Sequence, residues 1–184
     1  MQINHELLSL VEEREEPQTL STLPILVLHA HSSCNCRCIM CDIWKTREQK
    51  RIGVRDIEPQ LESIRRLGVR WIVFSGGEPL MNSDLPEMCS LLRAEGIRLT
   101  LLSTGLLLKK CAAEVAENFN DVIVSLDGPR NTHDGIRRVP GAFDLLHEGI
   151  RALRNMRPDV GITARSTVQR ANHGHLMETV HAAK

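Results

Sequence analysis

The chain has 184 residues, of which 42% are hydrophobic and 25% are charged, so it holds the material for one domain with a buried core. Lysine plus arginine and aspartate plus glutamate each number 23, and the formal net charge is therefore zero. Together with an aromatic content of 3%, this balance argues against a nucleic-acid partner and against binding to an anionic membrane. No apolar run approaches the roughly 18 residues of a membrane span, and the acidic N-terminus is unlike a secretory signal. We therefore expect a cytoplasmic protein that binds neither nucleic acid nor membrane.

Short runs of β-branched residues alternate along the chain with longer amphipathic runs, which predicts strands followed by helices. Strands are predicted at 25–30, 69–74, 97–102, 122–126 and 161–168. Helices are predicted at 54–67, from a Ser83 cap to 95, at 106–118, at 143–154 and from 173 onward, with a long loop before 143. Strands joined by helices, at about 30 residues per unit, must be parallel, and right-handed crossovers then build a barrel or a doubly wound sheet. The sequence therefore predicts an α/β fold.

One domain and a short extension account for the chain. Residues 1–22 form the N-terminal extension, which contains a helix-like stretch at 4–13, and residues 23–184 form the core. The core contains neither a linker nor a low-complexity tract. Because no Gly or Pro stop signal follows the last predicted helix, we expect the core to be truncated at its C-terminal end.

Six cysteines are present, and four of them lie in one short loop directly after the first predicted strand. Cys89 and Cys111 stand alone in helix-like segments, where core or half-buried thiols are expected. The other four are Cys34, Cys36, Cys38 and Cys41. In a reducing compartment, such a cluster binds metal more often than it forms disulfides.

The spacing of Cys34, Cys38 and Cys41 suits a cubane iron–sulfur cluster with one open position. Three thiolates hold three irons, whereas full ligation by the protein takes four cysteines. The remaining iron can chelate a small molecule, much as catalytic zinc sites keep one position free for substrate. Cys36 is a bystander in this interpretation. In the alternative, all four thiolates form a structural zinc site.

A second motif, Gly76-Gly77-Glu78-Pro79, follows the second predicted strand. Its glycines allow the backbone to approach a ligand closely, and its backbone carbonyls and the Glu78 carboxylate are suited to hold an ammonium group. The alternative is a tight turn in which Pro79 starts a helix. Loops that follow parallel strands gather at one face, so this motif and the cysteine loop are expected to meet.

Polar residues end the third and fourth predicted strands. They are Ser103, Thr104, Ser125 and Asp127. Asp127 either organises the site or forms an Asx-type turn with the Gly and Pro that follow it. The candidates for gripping a carboxylate at two points are Arg137, Arg138 and Arg165. Two histidines, His29 and His31, share a face of the first strand and could reach the site, but we do not predict them as ligands.

The chain resembles the radical S-adenosylmethionine (radical SAM) family from about residue 23 onward. The resemblance rests on the cysteine motif, on Ser75 to Pro79, on Ser125 to Pro129, and on His133, Asp134 and Arg137. It implies a partial (β/α) barrel of the radical SAM type, with about five βα units visible where the family core usually has six. It also implies a [4Fe–4S] cluster on Cys34, Cys38 and Cys41 that reductively cleaves S-adenosylmethionine. The resulting 5′-deoxyadenosyl radical would abstract hydrogen from a substrate.

The same resemblance assigns contacts to the cosubstrate. The loop of Gly76, Gly77, Glu78 and Pro79 takes the amino group, and Met40 occupies a position that packs by the adenine and is often aromatic. A polar contact is assigned to Ser103 or Thr104, and a contact to the ribose or the carboxylate is assigned to Ser125. For the carboxylate itself, the guanidinium groups of Arg137 and Arg165 are the candidates that we keep. A flavodoxin- or ferredoxin-like protein would supply the electron.

The stretch from 125 to 129, with His133 and Arg137, looks closest to the SPASM-type branch, whose members often carry extra clusters and act on peptides or proteins. The resemblance therefore points to a peptide or protein as one substrate class and leaves the reaction type open. Two alternatives stand beside an active enzyme. One is a non-catalytic zinc or iron–sulfur binding module, and the other is an inactive truncated fragment.

Overall fold

The computed structural model describes residues 19–184, so the helix-like stretch predicted at 4–13 lies outside the described residues. Five strands form one sheet in the order β1-β2-β3-β4-β5, and each neighbouring pair is parallel. The strands are β1 (Ile25–His31), β2 (Trp71–Gly76), β3 (Arg98–Ser103), β4 (Asp121–Ser125) and β5 (Gly161–Arg165). The α/β prediction is confirmed, and this open sheet of strand–helix units is the arrangement of a partial (β/α) barrel.

Seven α-helices lie in the described part of the chain. They are α1 (Val54–Ile57), α2 (Leu61–Arg66), α3 (Leu85–Ala94), α4 (Ala112–Asn118), α5 (Arg130–Arg137), α6 (Ala142–Met156) and α7 (Leu176–Ala182). Short 3₁₀ helices lie at Ile43–Lys45, Glu58–Gln60, Pro79–Met81 and His173–His175. Between residues 19 and 184, none of the helices combines the length and the apolarity needed to cross a membrane.

The hydrophobic core lies between the helices and one face of the sheet. Strand alternation places Ile72, Phe74, Leu99 and Leu101 on this face, and all four are fully buried. Full burial of such a side chain contributes about 1.5–3 kcal/mol. The opposite face is less covered, since Val27 on β1 is 53% exposed. This second face and the carboxyl ends of the strands remain available for a binding site.

The prediction of a long loop before residue 143 is wrong, because helix α5 lies in this segment. It buries His133, Ile136 and Arg137, whose spacing places them on one side of the helix. The segment contains Thr132 and Gly135, which are poor helix formers. Tertiary packing of the buried side therefore decides the structure here, and that packing cannot be recognised from local propensity.

Two predicted helices are shorter or less regular than expected. The one predicted at 54–67 is divided into α1, a 3₁₀ turn and α2. Pro59 lies in that turn, and a proline removes a helical N–H and clashes with the preceding turn. The one predicted at 106–118 is helical only over α4, and α3 begins after Asp84 rather than Ser83.

Candidate cofactor site

A cavity of about 290 Å³ opens where the carboxyl ends of the strands meet the cysteine loop. Three of its lining residues are Cys34, Cys38 and Cys41. The ends of β2 to β5 and the residues after them contribute Ser75, Gly76, Gly77, Leu102, Ser103, Thr104, Ser125, Arg165 and Thr167. The cysteine loop and the Gly-Gly motif therefore lie on one cavity, as their positions after parallel strands predict.

Cys36 is the one thiol of the four in this loop that does not line the cavity. It is 1% exposed, and its backbone N–H donates to the Sγ of Cys34 at 3.5 Å. Hydrogen bonding by the Cys36 side chain lowers the pKa of Cys34, and with help from Arg137 it lowers the pKa of Cys38 to about 6. The same hydrogen bonds raise the pKa of Cys36. The loop therefore favours the neutral thiol at Cys36 and the thiolate, which is the form that a metal ligand needs, at Cys34 and Cys38.

The thiols are not arranged for a single zinc ion. Within residues 19–184, no three His, Cys, Asp or Glu side chains are placed to surround one metal ion. Thiolates of a zinc site all lie about 2.3 Å from the same ion, whereas the ligands of a cubane bind irons at different corners. Three cysteines that face one cavity without meeting at a point fit the donor set of a three-cysteine [4Fe–4S] cluster.

The backbone of the Gly-Gly motif is hydrogen-bonded directly to the start of the cysteine loop. The N–H of Gly77 donates to the carbonyl of His31 at 2.7 Å, and the N–H of Glu78 donates to the carbonyl of Ser33 at 2.9 Å. A Cβ on Gly77 would lie 2.0 Å from the Ser33 carbonyl oxygen, so no larger residue fits there. Gly76 has a φ of +123°, which side chains rarely tolerate. These glycines therefore allow two loops to pack together at the cavity wall.

Glu78 contacts the third strand rather than the cavity. Its carboxylate is fully buried and accepts hydrogen bonds from the hydroxyl of Ser103 and from both the N–H and the hydroxyl of Thr104, at 2.6–3.1 Å. The N–H of Leu80 donates a further hydrogen bond at 3.2 Å, inside the 3₁₀ turn that the buried Pro79 starts. The expectation that this carboxylate faces a cosubstrate ammonium does not match its position. Burial raises the pKa of Glu78, and these donors oppose that rise.

The candidate arginines have different surroundings. Arg137 lines the cavity and is 7% exposed, and its guanidinium lies 2.5 Å from the Asp127 carboxylate and 3.5 Å from the Sγ of Cys38. Arg165 is exposed at the end of β5 and lines the cavity. Among the described residues, its guanidinium belongs to no ion pair. Arg138 is exposed and does not line the cavity.

The downstream motif serves mainly to organise the fold around the cavity. Asp127 is fully buried and accepts from the N–H of Thr167 at 2.9 Å, in addition to its ion pair. Asp134 accepts from two backbone N–H groups at the start of α6, those of Gly141 at 2.7 Å and Phe143 at 2.8 Å. Ser125, by contrast, lines the cavity beside its β5 neighbour.

Several cavity residues were missed by the sequence analysis. Met40, which the sequence places near the adenine, lines the cavity, and Ile43, Leu102 and Thr167 line it as well. Leu102 could have been found from strand alternation, because it precedes the predicted site residue Thr104 by two positions. No sequence pattern identifies Thr167 as a cavity residue. The fifth strand was predicted to run to residue 168, whereas in the structure it ends at Arg165 and Thr167 follows it.

The remaining sequence candidates lie away from the cavity. Cys89 is fully buried and Cys111 is half-buried, as predicted. His29 and His31 line a separate small cavity at the edge of β1. The Nδ1 of His31 accepts from the N–H of Ser33 at 2.8 Å, which gives this histidine a structural role.

Residues 31–183 match the Radical SAM superfamily. Fe-coproporphyrin III synthase of Methanosarcina barkeri is 30% identical over 153 residues, which cover 81% of this chain and 38% of the synthase. Pre-heme d1 synthase of Dinoroseobacter shibae is 31% identical over 163 residues, covering 84% of this chain and 39% of that protein. A probable GTP 3′,8-cyclase of Methanococcus maripaludis is 37% identical over 98 residues, covering 51% of this chain and 33% of the cyclase. The chain thus spans less than half the length of these relatives.

Solved structures show the same fold. Streptococcus suis SuiB bound to the precursor peptide SuiA aligns with a TM-score of 0.74 and 18% identity, over 89% of this chain and 37% of SuiB. The enzyme anSMEcpe with bound AdoMet aligns with a TM-score of 0.70 and 19% identity, over 86% of this chain and 47% of that chain. At these identities the likeness concerns the fold alone. From the family match, together with three cysteines and a Gly-Gly loop on one cavity, the chain belongs to the Radical SAM superfamily, whose cofactors are a [4Fe–4S] cluster and S-adenosylmethionine.

Proposed function

We propose that Cys34, Cys38 and Cys41 hold a [4Fe–4S] cluster and that the protein cleaves S-adenosylmethionine reductively at this site. When bound, the cluster supplies the electron that yields a 5′-deoxyadenosyl radical for hydrogen abstraction. The observation that carries the proposal is the difference among four neighbouring thiols: three line the cavity, whereas Cys36 is buried and does not line it. Three protein ligands leave one iron for the cosubstrate.

The cavity offers a distinct group for each part of the cosubstrate. Backbone carbonyls of the Gly76 and Gly77 loop suit the amino group, because the Glu78 side chain is already bound to β3. The exposed guanidinium of Arg165 suits the carboxylate, with the Ser125 hydroxyl beside it. The adenine packs against the apolar side chains that line the cavity, which are those of Met40, Ile43 and Leu102. Arg137 is less suited to the carboxylate, because Asp127 already pairs with it.

An electron donor is required for this chemistry, and a flavodoxin- or ferredoxin-like protein is the partner that we infer. The cysteine loop leaves Arg37, Ile39 and Met40 exposed next to the cavity, so the site is reachable by such a protein. We place the protein in the cytoplasm, where a reducing environment keeps the free thiols available.

Two substrate classes have specific support. A tetrapyrrole is favoured by the synthases that are 30% and 31% identical to this chain. A peptide is favoured by the fold neighbour SuiB, which is 18% identical and was solved with a precursor peptide. Because these synthases match 81% and 84% of this chain, against 51% for the cyclase, and are closer in sequence than SuiB, we propose a tetrapyrrole as the first substrate to test. Fe-coproporphyrin III, the tetrapyrrole after which one of these synthases is named as its product, is the probe: titrating the protein with it should shift its visible absorbance, and SuiA peptide should not compete.

Anaerobic reconstitution tests the proposed activity. The protein should take up about four irons, turn brown, and release 5′-deoxyadenosine when supplied with S-adenosylmethionine and dithionite. Replacing Cys34, Cys38 and Cys41 by alanine should abolish both results, whereas Cys89→Ala, a thiol in the core, should leave them intact. A colourless protein with one zinc would favour a binding module. A four-iron protein that releases no 5′-deoxyadenosine would favour an inactive fragment.

A further inference from the structure

The buried guanidinium of Arg137 contacts one cysteine of the site. Its Nη1 lies 3.5 Å from the Sγ of Cys38, and its side chain is 8% exposed. Cys38 is itself 6% exposed. A positive charge and an N–H donor therefore lie against this sulfur with little water between them, where electrostatic interactions are stronger than in solvent.

The second nitrogen of the fork fixes Arg137 in this position. Nη2 pairs with the Oδ2 of Asp127 at 2.5 Å, and Asp127 is fully buried. The other carboxylate oxygen of Asp127 accepts from the N–H of Thr167 at 2.9 Å. Because both terminal nitrogens of the guanidinium have partners, the side chain is held with one N–H donor directed at Cys38.

The backbone around Cys38 is bound to the same helix end. The N–H of Arg37 donates to the carbonyl of Arg137 at 3.1 Å, and the N–H of Ile39 donates to the carbonyl of Ile136 at 3.0 Å. Helix α5 ends here with Arg138 in the left-handed conformation, at a φ of +54°. The last carbonyls of a helix lack partners inside it, so they are free to accept from the cysteine loop. Cys38 and Arg137 are therefore held together by contacts on both sides.

We propose that Arg137 is a positioning residue that acts through Cys38 to raise the reduction potential of the cluster. This inference rests on the proposed function, in which Cys38 is a ligand. Hydrogen bonds to cluster sulfurs are one of the determinants of cluster potential. Reduction adds negative charge to the cluster and its thiolates, and a donor carrying positive charge stabilises the reduced state more than the oxidised one. Arg137 thus makes the acceptance of the electron easier.

A redox titration without S-adenosylmethionine, followed by low-temperature electron paramagnetic resonance, tests this role. In Arg137→Met, the ratio of reduced to oxidised cluster at a fixed ambient potential should fall about tenfold, which corresponds to 59 mV for one electron. Arg138→Met is the matched control, because its side chain is exposed and outside the cavity. It should titrate like the unmodified protein. Iron content and circular dichroism verify that each variant is loaded and folded.

A second variant separates a change in reduction potential from an effect of misfolding. Arg137→Met alone leaves the Asp127 carboxylate buried without its partner, which is destabilising. Arg137→Met with Asp127→Asn removes both charges, keeps an acceptor for Thr167, and should show the same fall in reduced fraction. Unchanged potentials in both variants would overturn the inference, as would an unchanged potential with a large loss of S-adenosylmethionine affinity. Failure of the unmodified protein to form any [4Fe–4S] cluster would instead overturn the proposed function.

Discussion

Arg165 and Arg137 carry the same guanidinium, yet their environments prepare them for different tasks. Both line the cavity, but Arg137 is buried and paired with Asp127, whereas Arg165 is exposed and belongs to no ion pair of the described residues. From the amino-acid sequence alone, both arginines are candidates for binding the cosubstrate carboxylate. The distinction depends on Asp127, which lies ten positions before Arg137 and meets it only because α5 forms.

Arg165→Ala should weaken S-adenosylmethionine binding roughly tenfold, since one charge-assisted hydrogen bond at an exposed site is lost. Equilibrium dialysis with the reconstituted protein measures the change. The iron content should be unaffected, because no cysteine contact is removed. Arg170→Ala, an exposed arginine that does not line the cavity, is the control. Equal affinity in Arg165→Ala and the control would show that the carboxylate is bound elsewhere.

Cys38→Ala should prevent assembly of the four-iron cluster, while Cys36→Ala should retain it. Cys38 lines the cavity, whereas Cys36 is buried and does not line it. Iron and sulfide analysis after reconstitution gives the comparison. Equal loss of iron from both variants would mean that the ligand set has been assigned incorrectly.

His133 should make the folded state sensitive to acid. Burial, with Arg137 as the second cause, lowers the pKa of His133 to about 4. Its Nδ1 accepts from the N–H of Asp127 at 3.2 Å, so a proton there would oppose another donor. The unfolded chain binds this proton near pH 6.5. The contribution of neutral His133 to the free energy of unfolding is therefore fully present above about pH 6.5. It decreases by about 1.4 kcal/mol per pH unit as the pH drops from there towards 4.

Urea unfolding between pH 7 and pH 4.5 measures this slope. His133→Asn keeps an acceptor for the Asp127 N–H and should lose this part of the dependence, whereas His173→Asn, which alters an exposed histidine, should preserve it. The same pH slope in His133→Asn and the unmodified protein would contradict the assignment.

At the scale of the elements, the Gly-Gly motif is joined to two neighbouring strands. Its backbone binds the end of β1 and the cysteine loop, and the Glu78 side chain binds the end of β3. The motif thereby links the cysteine loop to the third strand. The motif can be recognised from the sequence, but the contact of Glu78 with β3 cannot, because contacts across strands are set by the sheet order rather than by local spacing.

Glu78→Ala should lower the free energy of unfolding by about 3 kcal/mol, because it leaves the buried donors of Ser103 and Thr104 without an acceptor. Glu87→Ala, an exposed position on α3, should change it by less than about 0.5 kcal/mol. Denaturant unfolding gives both values. A small effect of Glu78→Ala would mean that this carboxylate does not join the motif to β3.

The elements themselves were predicted unevenly, for physical reasons. Strands such as β2 and β4 can be recognised from runs of β-branched residues, because apolar side chains lie on both faces of these strands. Helix α5 has eight residues, a glycine and few apolar side chains, so its helicity depends on packing that only the folded chain provides. The position of Arg137 could not be predicted for the same reason.

At the scale of the whole molecule, five parallel strands bring residues that are more than one hundred positions apart to a single cavity. Cys34 and Arg165 line it together because parallel strands end at one edge of the sheet. The α/β class and the meeting of the two motifs followed from the order of strand–helix units. The less covered face of the sheet, where Val27 is 53% exposed, had no counterpart in the sequence analysis.

The most direct test measures whether an outside molecule binds the cluster iron. Electron–nuclear double resonance on the reduced, reconstituted protein, with S-adenosylmethionine labelled at its amino nitrogen and carboxylate oxygen, reports ligation of the iron by those atoms. The account predicts coupling to both labels, and a changed resonance spectrum on addition of the labelled compound. A spectrum that is unchanged by it, from a cluster with four cysteine ligands, would contradict the account.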